Sequence, residues 1–165
     1  MRLTKLFALG SLLAVTAFSR LGPPWISVEY PANPYDSASR GAFLLVHAFH
    51  HGQPVSFPVS GTAEGIVAGE RRTISLEFKS TTRPGVYALH KQWPAEGVWT
   101  LVVGVTQAEG EGNTAKAIVE LGANGQVASV TVPTRMQNNY LVPAPVRMAD
   151  VESSLKARAD RLASR

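Results

Sequence analysis

The chain contains no cysteine, and that absence removes disulfide frameworks, thiolate metal sites and cysteine nucleophiles together. Outside a reducing compartment, its stability must come from packing alone. Long apolar runs are missing too, since Leu6–Ala14 is too short for an ordinary membrane-spanning helix. Charge of one sign is scarce. The formal net charge of +4 includes Arg2 and Lys5, and the remaining bases are spread among acids, which excludes the clustered basic surface that nucleic-acid binding requires. No G-x-S-x-G elbow marks a hydrolase nucleophile. Gly61, Gly65 and Gly69 are not followed by the lysine and hydroxyl residue of a phosphate-binding loop. Asn113-Thr114-Ala115 misses the glycosylation sequon.

What is present is an ordinary globular balance: 45% hydrophobic and 17% charged residues over 165 positions, enough for one domain with a real core. The N-terminus has the layout of an export signal. Met1–Lys5 supplies a positive start, Leu6–Ala14 an apolar centre, and Val15-Thr16-Ala17 small or branched residues for a peptidase, with Ala17-Phe18-Ser19 a second candidate. A signal peptide over 1–19 is expected, with an uncleaved anchor as the alternative. The absence of a lipobox cysteine excludes lipoprotein anchoring.

After the stiff Gly22-Pro23-Pro24, alternation predicts strands over Trp25–Tyr30, Ala42–His50, Val55–Val59 and Arg72–Phe78. Ala42–His50 is dense enough in apolar residues to be buried on both faces. Pro54 and Pro58 predict an edge position or a switch between sheets. In Arg72–Phe78, Ile74, Leu76 and Phe78 face inward. Arg83–Thr106 reads as a central hairpin, with arms Val86–Trp93 and Val98–Val105 joined through Pro94-Ala95-Glu96-Gly97. Period two puts Trp99, Leu101, Val103 and Val105 on one face, and Tyr87, Leu89 and Trp93 on another, so two aromatic-rich faces can meet across a sandwich core. Lys116–Leu121 and Gln126–Val132 form a last hairpin, because Asn124-Gly125 accepts the positive φ of a tight turn.

The residues Ala48-Phe49-His50-His51-Gly52-Gln53-Pro54-Val55, Gly61-Thr62-Ala63-Glu64-Gly65, Arg83-Pro84-Gly85-Val86-Tyr87-Ala88-Leu89 and Trp93-Pro94-Ala95-Glu96-Gly97-Val98-Trp99 carry a resemblance. Their "G-x-P-V … P-G-x-Y … G-x-W" layout resembles bacterial exported YtkA-like and carboxypeptidase-regulatory-like (transthyretin-like) β-sandwiches. The resemblance implies an immunoglobulin-like or transthyretin-like fold over about Trp25–Val132. The expected fold is therefore all-β: a single antiparallel immunoglobulin-like β-sandwich over 25–133, an extended segment over 134–148 and a short, frayed, polar C-terminal helix over 149–165. In that helix Val151, Leu155 and Leu162 form a narrow apolar stripe.

Four histidines are the candidate site: His47, His50 and His51 at the end of one strand, and His90 in the central hairpin. Imidazole favours copper or zinc. On a regular strand His47 and His51 share a face and His50 takes the other, so convergence requires the Gly52 turn or a bulge to redirect them. Glu64 and Glu96 read as exposed turn carboxylates, and Trp25, Trp93 and Trp99 as core rather than a sugar-stacking platform. The expected function is a non-enzymatic binding or structural module of the bacterial periplasm or cell envelope, without a cofactor. Its expected partner is another envelope protein, with no nucleic acid and no membrane insertion beyond the export signal. The alternative is a periplasmic copper- or zinc-handling protein using these histidines.

Overall fold

The structure, a computed structural model, describes residues 22–108 and 112–164, so the expected export signal at 1–19 lies outside the described residues. In chain order the elements are β1 (Trp25–Glu29), a 3-10 turn at Ser37–Ser39, β2 (Leu44–His50), β3 (Gln53–Pro54), β4 (Val59–Val67), β5 (Glu70–Ser75) and β6 (Phe78–Ser80). There follow β7 (Val86–Leu89), β8 (Val98–Thr106), β9 (Thr114–Leu121), β10 (Val127–Thr131), β11 (Thr134–Gln137), β12 (Tyr140–Pro143) and the helix α1 (Met148–Ala163).

Two antiparallel sheets form a sandwich. The first runs β1-β2-β7-β6, with β3 also paired to β2, and the second runs β10-β9-β8-β4-β5. Relabelled in chain order from A, these read A-B-E-D and C′-C-F-G, the immunoglobulin Greek key, with β10 added beyond G. The core between the sheets holds Ile26, Leu44, Val46, Leu89, Leu101, Val103, Val119 and both Trp93 and Trp99. Leu45, Val86 and Ala88 form a second patch on the outer side of the first sheet, beneath Ala32 and Ala42. Leu44–Val46 is thus buried on both faces, as its composition requires.

The expected central hairpin is corrected. β7 pairs with β2 and β6, whereas β8 pairs with β4 and β9, so residues 90–97 cross from one sheet to the other. The faces assigned from alternation are right and meet across the sandwich core as expected, but the strands that carry them lie in opposite sheets and not side by side. Trp93 leaves the ladder after Leu89 and plugs the core at 4% exposure. Gly97 ends the crossing at φ +92, where a Cβ would stand 2.6 Å from the Ile66 carbonyl oxygen.

Two further strand boundaries move for the same reason. Arg72–Phe78 is two strands, because the chain changes sheet at Leu76–Glu77 between β5 and β6. Val55–Val59 is not a strand of its own. β3 stops at Pro54, and after Pro58 the chain enters β4 in the other sheet, the switch that the two prolines demand. The glycine-punctuated stretch is itself strand: Gly65 lies directly opposite Trp99, and a Cβ there would penetrate the indole ring. The final hairpin is present, with an irregularity between Val127 and Ser129.

The C-terminal third departs most from expectation. Residues 134–143 form the two-stranded β11–β12 ribbon, not an extended tail, and its turn is Asn138-Asn139 at φ 50 and φ 64. Nor is α1 frayed. Val151 and Leu155 are buried against Val98 and Val102 on the outer side of the second sheet, with Ile66, Ile118, Val146 and Ala159 around them. β8 is therefore covered on both faces. Among the described residues, no helix is long and apolar enough to cross a membrane.

Candidate functional site

One end of the sandwich carries an aromatic groove. The β2–β3 turn places His51 at φ 49, and the lead-in Gly22-Pro23 runs beside it. The β11–β12 ribbon closes the other side with Tyr140 and Leu141, leaving an open groove of about 530 Å3 that Trp25 and Gln137 also line. The ribbon presents its apolar residues to solvent: Tyr140 is 73% exposed, Met136 66% and Leu141 53%. Met136 stands opposite Leu141 on one face of the ribbon and Tyr140 opposite Gln137 on the other, so the ribbon offers large apolar groups to solvent on both sides.

The structure separates the four histidines into three places. His47 donates from Nε2 to Glu29 Oε2 at 2.9 Å on the outer face of the first sheet, where Arg83 also reaches Glu29 at 3.3 Å and Asp36 at 3.7 Å. His90 donates from Nδ1 to the Gly41 carbonyl at 2.9 Å. Only His50 and His51 come together. The left-handed turn brings their rings to 4.2 Å, edge to face, while His50 Nε2 donates to the Gly22 carbonyl at 3.0 Å. Among the described residues, no three histidine, aspartate or glutamate side chains are grouped to hold a metal ion.

A second polar constellation lies beneath α1. Across the second sheet, Thr73, Glu64, Thr100 and Glu120 stand opposite one another on adjacent strands, and Ser129 extends the row by pairing with Glu120. Glu64 is buried at 4% exposure, which corrects its reading as an exposed turn carboxylate. It accepts from Thr62, from Thr73 at 2.8 Å and from Arg71 at 2.6 Å. Arg71 also grips Glu152 of the helix at 2.6 Å. Further along α1, Arg158 donates to the Trp99 carbonyl at 3.1 Å, to the Leu121 carbonyl at 2.9 Å and to the Thr100 hydroxyl. Ser154 donates to Glu120. The row clamps the helix to the sheet.

The clamp sets a pH dependence. Burial raises the Glu64 carboxyl, but hydrogen bonds from Thr62, Arg71 and Thr73 outweigh it and hold the group below its ordinary 4.5. The Ser154 hydroxyl lowers Glu120 against its burial, with help from the Arg158 charge. Arg71 lowers Glu152. Folded values below unfolded ones mean stability that is complete above the ordinary carboxylate range and is lost as pH falls through the folded values. The protection of the α1 amides, taken relative to the intrinsic exchange rate at each pH, is therefore expected to fall on acidification from neutral to about pH 3, ahead of that of β8. Equal protection of α1 at both pH values would refute the clamp.

Alternation in Val59–Val67 does place Thr62, Glu64 and Ile66 on one face, and Asn138-Asn139 is a turn signal. The expectations of a glycine-punctuated turn and of an extended segment pass over both signals. Fold and sites together define an immunoglobulin-like domain with a helix clamped to one sheet and an aromatic groove at one end. The chain matches no family model, no curated protein and no solved structure.

Proposed function

We propose that this protein is an exported, non-enzymatic binding module of the bacterial periplasm or cell envelope, which takes up an extended segment of another envelope protein in the Trp25–Tyr140 groove. The exposed Tyr140 on a ribbon beside Trp25 carries the reading, because tyrosine and tryptophan anchors dominate binding energy at interfaces. Among the described residues β12, which forms one wall, pairs only with β11. Its outer ladder can therefore match an extended peptide backbone. The layout resembling YtkA-like and transthyretin-like exported domains supports the compartment, as does the charged and apolar start of the chain.

A photo-crosslinking residue in place of Tyr140, in the whole chain expressed in its own cell, is expected to give one discrete adduct in the envelope fraction. Leu141→Asp should abolish it, and the same probe at Glu70, on the charged edge of the second sheet, should give none. A chain confined to the cytosol, or a Tyr140 adduct unaffected by Leu141→Asp, overturns the reading. The alternative of copper or zinc handling rests on one observation, the paired His50 and His51 rings at 4.2 Å. Stoichiometric metal uptake that disappears in both His50→Ala and His51→Ala would establish it.

A further inference from the structure

Among the described residues the two sheets end on β1, β6, β5 and β10, and the first three are protected. β5 carries Glu70, Arg71 and Arg72, β6 has only three residues and includes Lys79, and β1 follows Pro23-Pro24 and ends on Glu29. Charge, brevity and proline are the usual devices that stop edges from pairing. β10 carries no charge, and its one neighbouring proline, Pro133, lies beyond its end. From Val127 to Val132 the sequence is Val-Ala-Ser-Val-Thr-Val, without charge, proline or glycine, and its ladder is paired on the β9 side alone. Only the irregularity between Val127 and Ser129 interrupts it, leaving Ser129–Val132 regular.

A second, separate observation concerns the faces. Val130 stands opposite Val119, which is fully buried, yet Val130 itself is 41% exposed. The opposing sheet ends at β1, which packs over β8 and β9. β10 overhangs the sandwich, so a β-branched residue on its core side has no cover.

We infer that the β10 edge is a self-association surface, on which a second copy of this chain adds its own β10 antiparallel and continues the second sheet across the dimer. A twofold axis through Val130 sets Val130 against its own copy and Ser129 against Thr131 of the second copy. The contact is isologous, aligns a branched pair with two hydroxyl pairs, and brings no like charges together. On the charged edge of β5 an axis through Arg71 would set that arginine against its own copy, and an axis between Arg71 and Arg72 would set the two arginines against each other.

Sedimentation of the protein recovered after expression of the whole chain is expected to show a dimer. Val130→Lys should weaken association by about tenfold or more, since it sets two lysines against each other on the axis, and Thr131→Lys should weaken it too, since it places two lysines diagonally across the axis on one face. Both residues are exposed, and the far-UV circular dichroism of the parent should be kept. Amide exchange of Ser129–Val132 should slow as protein concentration rises, while that of β5 should not. A parent that sediments as a monomer at its solubility limit overturns the inference. So does a dimer that survives both lysine substitutions, or β10 exchange independent of concentration.

Discussion

Replacing Trp99 with alanine is expected to destabilise the domain by about 3–5 kcal/mol. The indole is 3% exposed, faces Gly65 across the ladder, and donates from Nε1 to the Glu96 carbonyl at 2.8 Å. That bond ties the start of β8 to the end of the crossing segment, much as a tyrosine does at the corresponding corner of immunoglobulin domains. Its loss leaves a cavity that the glycine opposite cannot fill. Equilibrium urea unfolding followed by far-UV circular dichroism measures the effect, with His51→Ala as the comparison at about half a kcal/mol or less. A Trp99→Ala midpoint equal to that of the parent would remove this side chain from the core.

The second large effect is expected from Leu155→Asp. Leu155 is completely buried between α1 and the second sheet, and an ionised carboxylate there, without a partner, costs several kcal/mol. The chain can avoid that cost by releasing the helix. The variant should therefore lose helical signal near 222 nm and α1 amide protection, while β2, β7 and β8 stay protected on their core side. Global unfolding at the same urea concentration as α1 release would show that helix and sandwich form one cooperative unit. Retention of α1 protection would mean that the apolar stripe does not hold it.

How far the sequence carried depended on the range of the interaction. Alternation in Trp99–Val105 and the composition of Leu44–Val46 report the local question of which side is buried, and both assignments hold. The Asn124-Gly125 turn is likewise local. Partner choice is not. Nothing within residues 83–106 distinguishes a hairpin from an arch, because the deciding contacts are Val46 with Tyr87 and Leu101 with Ala63, made by distant strands. Glu64 illustrates the same limit. Its glycine neighbours suggest a turn until Trp99 is seen to need Gly65, and only the arrival of Arg71 and α1 makes a buried carboxylate tenable. The histidines were grouped by nearness in sequence, whereas Glu29, Gly22 and Gly41 draw them to different places. The ribbon turning at Asn138-Asn139 stands where an extended segment is expected, since it lacks the buried face from which strands are recognised.

The crossing from β7 to β8 also bears on the order in which the molecule can be assembled. β4 finds its second neighbour in β8, the middle of β2 finds one in β7, and the apolar stripe of α1 settles chiefly on Val98 and Val102 of β8. The first half of the chain, as it leaves the ribosome, thus holds strands whose partners have yet to be made. Pairings so distant along the chain close slowly, on the milliseconds-to-seconds scale of Greek-key domains. A polypeptide that stays open for that long is one that secretory machinery can still thread.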